Sequence, residues 1–207
     1  MITYKLQLKN YLNRFVLFTD SEIDLIYKNL TVRVYKKKGF LLEQNSVCDT
    51  NFFICEGLVR SFTTDNMGEE KTSQFAIENW WVTSMESFIK ERASFNALQA
   101  IEKTTVLCLS KNKLNHLYQK IPKLERCFRI ITENMLIAIL RKDEIFMKLS
   151  SKERYLGFIG SNPTFMQRVP QYMVASYLDI TPEYLSELKK HYINNYFLRN
   201  PKKMSLS

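Results

Sequence analysis

Eight side chains in the last part of the chain are of the types that hold a nucleic acid duplex: Arg168, Thr181, Glu183, Tyr184, Ser186, Glu187, Lys189 and Lys190. Glu183, Ser186, Glu187 and Lys190 recur at helical spacing, on the face opposite Leu185 and Leu188. A carboxylate such as Glu183 accepts from the amino group of cytosine, and a hydroxyl such as Ser186 bonds base edges or phosphate. Arg168, Tyr184, Lys189 and Lys190 suit phosphates, which position a protein on DNA without reading its sequence. Carried on a helix that enters a major groove, such a set would suit double-stranded DNA.

Such a face needs two short helices packed at a steep angle, and the stretch VPQYMVASYLDITPEYLSELKK, residues 169–190, has their spacing. Apolar side chains fall at Val174, Leu178, Ile180, Leu185 and Leu188, and the small Ala175 sits where the second helix crosses the first. Pro170 suits a first helical turn. Thr181, Pro182 and Glu183 repeat a start signal with a capping hydroxyl, a proline and an acidic residue. The turn between the helices requires a residue with positive φ, and Asp179 takes the place usually given to glycine.

Upstream the period changes twice. From Leu30 to Leu109 the chain reads as short strands rich in β-branched and aromatic residues: TVRVY, a turn at Lys38 and Gly39, FLLEQ, then NFFICEGLVRSFTT split as a hairpin at Glu56 and Gly57. A turn at residues 65–68, the strand KTSQFAI and a closing strand from Thr105 to Leu109 complete a set that implies an antiparallel sandwich or barrel. Beyond it, Leu124, Phe128, Ile131, Met135, Ala138, Lys142, Ile145 and Leu149 recur at alternating steps of four and three. That is the seam of a long helix able to pair with a second copy, and only Lys142 breaks its apolar character. Roughly 27 residues of helix span about 40 Å. A third region opens at Ser151, Lys152, Glu153 and Arg154, which cap a helix through Ile159 that ends at Gly160 to Pro163. From Asn194 onward the tail reads as a basic, poorly packed end.

Other chemistries lack their residues. Cys48, Cys55, Cys108 and Cys127 are far apart with no CxxC pair, so they read as free thiols, and with only His116 and His191 a histidine metal site is not expected. A cupin-like enzyme would need histidines and a carboxylate on the strands, and the strands contain no histidine. No enzymatic activity, metal or cofactor is expected. With 45% apolar and 25% charged residues the 207-residue chain is globular. No apolar run approaches the roughly 20 residues that span a bilayer, and the N-terminus lacks the features of a signal peptide, so a cytoplasmic protein without membrane contact is expected. The net charge of +9 favours a polyanionic partner. Residues 151–207 hold 8 Lys plus Arg against 4 Asp plus Glu, and residues 1–150 hold 22 against 17.

The order of parts, with FFICEGLVRSF, the joint LSSKERYLGFI and VPQYMVASYLDITPEYLSELKK as its landmarks, resembles the Crp/Fnr family of bacterial transcription regulators over nearly the whole length. The resemblance implies an α+β fold. Its parts would be an N-terminal antiparallel β-roll (a double-stranded β-helix, or cupin-like jelly roll) as sensor over residues 1–120, a long dimerisation helix over 121–149, and a helical helix-turn-helix domain over 150–207. It implies a homodimer whose second helices enter successive major grooves of a pseudo-palindromic site. It also implies contact with RNA polymerase where the regulator activates, and a small-molecule effector. The dimer seam would be Leu124, Phe128, Ile131, Met135, Ala138, Lys142 and Ile145.

The sequence departs from that pattern at the effector site. Family members that bind cyclic AMP carry a Gly-Glu pair and, further on, an Arg-Ser pair, because a buried cyclic phosphate needs a guanidinium and backbone donors. Here WWVTSMESFIKERASFN, residues 80–96, has Thr83 and Ser84 near the first pair and Ser94 with Phe95 near the second. Arg92 follows Lys90 and Glu91, charged neighbours that indicate an exposed turn. Trp80 and Trp81 are of a type that stacks on a planar ligand or packs a core. Where the long helix would offer hydroxyls to the adenine ring it has Ile137 and Ala138. Cyclic AMP is therefore not expected as effector, leaving an unidentified ligand, an apolar one included, or none. Many family members have arginine where Glu187 stands, so a DNA site unlike the familiar consensus is expected. The family's β-wing is not evident in residues 191–207, where Tyr192, Tyr196, Phe197 and Leu198 can continue a helix. The other reading of a roll of this kind is a cyclic-nucleotide-binding-like regulatory module acting on a protein partner.

Overall fold

The computed structural model describes residues 2–161 and 165–199. It divides into two compact units, up to Lys142 and from Asp143 onward.

The first unit opens with two helices, α1 (Ile2–Leu12) and α2 (Asp20–Lys28). Thr19 caps α2 in a reciprocal box with Glu22, the arrangement that satisfies two orphan N–H groups at once. Eight strands follow: β1 (Thr31–Tyr35), β2 (Phe40–Leu42), β3 (Thr50–Glu56), β4 (Val59–Thr64), β5 (Glu70–Ala76), β6 (Trp81–Val82), β7 (Ala97–Ala100) and β8 (Thr104–Ser110), with α3 (Met85–Lys90) between β6 and β7. They form two antiparallel sheets, ordered β1-β8-β3-β6 and β2-β7-β4-β5, which is the jelly-roll arrangement. Helix α4 (Lys111–Lys120) and the 27-residue α5 (Pro122–Lys148) come next.

β3 shows how the alternation of a strand builds two cores. Phe52 and Ile54 point into the roll with Leu42, Val59, Val82, Leu98 and Val106. Phe53 and Cys55 point outward, where Leu8, Leu12, Ile23, Ile26, Leu117 and Leu124 of the helices bury them. Both faces are covered, which is why FFIC, residues 52–55, reads as a continuous apolar run rather than an alternating one.

Two sequence expectations are corrected in the roll. β3 and β4 do not form a hairpin, because they lie in different sheets and Gly57 turns the corner between them with φ of +99°. A Cβ there would lie 2.5 Å from Thr104 Oγ1, so glycine is required for space as well as for backbone. The strand expected through Gln44 ends at Leu42. The Gln44 side chain instead donates to the Thr64 carbonyl and accepts from the Thr64 N–H, replacing the strand's own bonds. The expected turn at residues 65–68 closes the β4–β5 hairpin, with Asp65 Oδ1 accepting from the Met67 and Glu69 amides.

The second unit continues from the end of α5 into α6 (Ser151–Ser161), α7 (Phe165–Arg168), α8 (Gln171–Leu178) and α9 (Pro182–Arg199). The cap of α6 is Ser150 rather than Ser151: the Ser150 hydroxyl and amide both donate to Glu153 Oε2, and the Glu153 amide donates back to Ser150 Oγ. The helix runs through Gly160, which in an exposed turn costs only about 1 kcal/mol against alanine. Among the described residues of this unit, Tyr155, Phe165, Val169, Met173, Val174, Ala175, Leu178, Leu185 and Leu188 are buried and apolar. Asp179 ends α8 in the left-handed region (φ 57°, ψ 50°), as the sequence requires. The Tyr184 amide donates to Thr181 Oγ1 at 3.2 Å, so Thr181 starts α9. The helix continues to Arg199, past the point from which a loose tail is expected, and the tail beyond it lies outside the described residues.

Candidate functional site

Inside the roll the residues expected near an effector are only partly brought together. Ser84, the residue before α3, and Ser94, just before β7, meet at 2.8 Å, both buried. Asn96 joins them, accepting from Ser84 Oγ at 2.9 Å through its side chain and from Ser94 Oγ at 2.6 Å through its carbonyl. Its amide group reaches across to β4 and donates to Ser61 Oγ at 2.7 Å. Ser61 in turn receives Ser73 Oγ from β5, at 3.2 Å to its carbonyl and 3.3 Å to its hydroxyl. The buried Ser61, Ser84 and Ser94 are thus satisfied by one another or by the half-buried Asn96, as buried polar groups must be, while Ser73 at the end of the line is exposed.

Ser61, Ser73 and Asn96 are not among the residues that the sequence singles out. Ser61 was detectable: it shares the inward face of β4 with Val59, where an apolar residue is expected, and it pairs with the inward Leu98. Asn96 lies within the quoted segment 80–96 but has no counterpart in a phosphate-binding pair.

The other candidates stand elsewhere. Arg92 is exposed, following the left-handed Glu91 (φ 57°), and its carbonyl accepts from Ser87 Oγ. Thr83 donates to the Thr50 carbonyl at 2.9 Å and touches Cys48 Sγ at 3.2 Å. Trp80 is half exposed and Ile137 is exposed. Trp81 is buried on the outer side of the roll, its ring 5.3 Å from Phe53 and 5.2 Å from Phe128 of α5. It is a packing residue there.

The guanidinium that a cyclic phosphate would need is engaged on the other face of the sheet. Arg60 is buried but alternates with the inward Val59 and Ser61. It donates to Gln99 Oε1 through Nε at 3.0 Å and Nη2 at 2.7 Å, pairs with Glu70 Oε2 at 2.6 Å, and lies 3.8 Å over the Phe62 ring. Among the described residues no group of three or more His, Cys, Asp or Glu could hold a metal ion, and no helix is long and apolar enough to cross a membrane.

The first half of the expected α5 seam is occupied within the chain. Leu124, Phe128 and Ile131 are buried in the core shared with α1, α2 and the outer side of the roll, and Met135 packs against it. The apolar side chains left in solvent come later: Leu136 (55% exposed), Ile137, Ile139, Leu140 (53%) and Ile145. Ala138 is exposed, and Lys142 donates from Nζ to the Ser73 carbonyl at 2.8 Å.

At α9, Leu185 and Leu188 are buried while Glu183, Tyr184, Glu187 and Lys190 are exposed. Glu183, Glu187 and Lys190 stand four and three residues apart on one outward face. Ser186 and Lys189 are half-buried at its edge, and Arg168 is half-buried at the end of α7.

Comparison with known proteins places this geometry. Residues 32–121 match the cyclic nucleotide-binding domain family. The fold is similar to that of the c-di-GMP-responsive global regulator CLP from Xanthomonas campestris, at 15% identity over 86% of this chain and 94% of that one, with a TM-score of 0.70. FixK2 from Bradyrhizobium japonicum, at 15% identity over 81% and 86%, also gives 0.70. The Thermus thermophilus catabolite activator protein, at 18% identity over 87% and 86%, gives 0.54. No curated protein sequence matches the chain. Residues 32–121 thus match the model of a cyclic nucleotide-binding domain, and the structures that the fold resembles are Crp/Fnr-family regulators, which bears out the resemblance seen in the sequence. The family and these neighbours are regulatory proteins.

Proposed function

We propose that this protein is a transcriptional regulator that binds double-stranded DNA as a homodimer. α9 reads the major groove, and α5 pairs the two copies. The observation that carries the reading is the division of α9, with Leu185 and Leu188 buried and Glu183, Tyr184, Glu187 and Lys190 turned outward at its exposed start. Thr181, Ser186 and Lys189 flank that face, and Arg168 stands at the end of α7. Arg168, Lys189 and Lys190 hold phosphates, and Glu183, Ser186 and Glu187 meet base edges. Glu187 cannot make the bidentate contact to guanine O6 and N7 that an arginine makes, so the recognised sequence differs from the familiar family site.

The roll does not serve cyclic AMP. Its interior presents neutral serine and asparagine groups already bonded to one another, and its buried guanidinium faces away from them, held by Gln99 and Glu70. A phosphate placed among them would lack a cationic partner in a low-dielectric interior, which costs several kcal/mol. Selection of bound duplexes from a random pool tests the DNA reading. It is expected to return a two-fold symmetric sequence with half-sites about one helical turn apart; a pool that stays random after several rounds refutes it.

A further inference from the structure

Lys142 is the one charged residue in the expected seam of α5, and in the single chain it is engaged by the roll. Its ammonium donates to the Ser73 main-chain carbonyl at 2.8 Å. That carbonyl belongs to an irregularity of the sheet: Ser61 pairs with Gln74 and Phe62 with Thr72, so Ser73 is the extra residue of a β-bulge. While its carbonyl faces Lys142, its hydroxyl bonds Ser61. From Ser61 the bonds continue without a break through Asn96 to Ser84 and Ser94. A hydrogen-bonded line therefore runs from the residue preceding α3, through the buried Ser94 and Ser61, to the exposed Ser73 and on to α5.

We propose that Lys142 is a latch that ties α5 to the state of this hydroxyl cluster. A charge-assisted bond is stronger than a neutral one, and a bulge is a local arrangement able to shift without unpairing the sheet. Any group that enters the roll and competes for Ser84, Ser94 or Asn96 alters the bonds of Ser61 and Ser73, and the Ser73 carbonyl turns toward or away from Lys142. The position of α5 is thereby coupled to the occupancy of the roll through hydroxyl groups, not through a buried arginine. The relay is a property of the free chain and stands whether or not α9 binds DNA.

Amide hydrogen exchange of the full chain, read by mass spectrometry, tests it with Lys142→Met, Lys142→Arg, Asn96→Ala and the Lys142→Met/Asn96→Ala double variant. Lys142→Met is expected to speed exchange about five-fold in residues 70–76 and 136–148, equivalent to ~1 kcal/mol at 1.4 kcal/mol per tenfold, whereas Lys142→Arg stays within about two-fold of the parent. Asn96→Ala is expected to reproduce the change at 136–148, and the double variant to add nothing to it. Ser94→Ala replaces Asn96→Ala if circular dichroism shows the latter unfolded. Unchanged exchange at 70–76 in Lys142→Met overturns the latch. Slower exchange at 136–148 in that variant also overturns it, because Lys142 would then act merely as a charge interrupting an apolar seam. Additive effects in the double variant overturn the relay.

Discussion

Placing Asp at Leu140 should separate the two copies without unfolding either. Leu136 and Leu140 lie one turn apart on α5 and are 55% and 53% exposed in the single chain. Roughly 90 Å² of each leucine remains to be covered, and at ~25 cal/mol per Å² that covering contributes about 2 kcal/mol per side chain. In a two-fold dimer the substitution occurs twice, so Leu140→Asp removes about 4 to 5 kcal/mol even before the carboxylate is desolvated. The dissociation constant should rise about a thousand-fold or more. Sedimentation equilibrium over a dilution series reads this directly, with circular dichroism confirming unchanged helix content. Ile131→Ala is the control. Ile131 is buried in its own chain's core, so its truncation should lower the unfolding free energy by about 3 kcal/mol and leave the association of folded chains nearly unchanged. If Leu140→Asp sediments like the parent, or if Ile131→Ala dissociates the dimer while the chain stays folded, the division of α5 into a core half and a pairing half is wrong.

Titration calorimetry with cyclic AMP should show no saturable heat; a tight one-site isotherm would mean that the serine and asparagine cluster opens to admit a phosphate. Gly57→Ala should cost more than about 3 kcal/mol in urea unfolding, because the added Cβ meets backbone at 2.7 Å and φ is +99°. Gly68→Ala, at φ +83° with nothing within 4 Å, should cost only about 1 kcal/mol, and equal losses would contradict the sheet-corner role of Gly57. Burial pushes the Cys55 thiol up to about 12 and those of Cys108 and Cys127 up to about 11. These raised values keep all three protonated at pH 8, so native alkylation should run about a hundred-fold slower than in urea. Rapid native labelling at any of the three would contradict their burial.

Several elements were legible in the sequence because a single local rule decides each of them. Asp179 had to turn left-handed, Thr181 had to cap, and TVRVY and KTSQFA had to be strands, and the fold has all of these. The sheet corner at Gly57 was not legible, since a glycine turn between two apolar runs looks the same whether the second strand returns beside the first or crosses to another sheet. The core half of α5 was misleading for a related reason. Leu124, Phe128 and Ile131 keep the step of a pairing seam whether a second copy or the chain's own roll covers them, and periodicity cannot say which. The α1 and α2 helices that share this core escaped notice, although Thr19 and Glu22 spell a capping box. The hydroxyl cluster was half visible: Ser84 and Ser94 stood in the segment compared with the phosphate-binding pairs, but only the register of β4 and β5 brings Ser61 and Ser73 to them.

The most direct test of DNA reading by α9 is sequence selection run in parallel on the parent chain and on Glu187→Ala. The predicted result is a symmetric site for the parent and a relaxed base preference at the same position of both half-sites for the variant, with the other positions kept. No enriched sequence for the parent, or an identical site for both proteins, would contradict it.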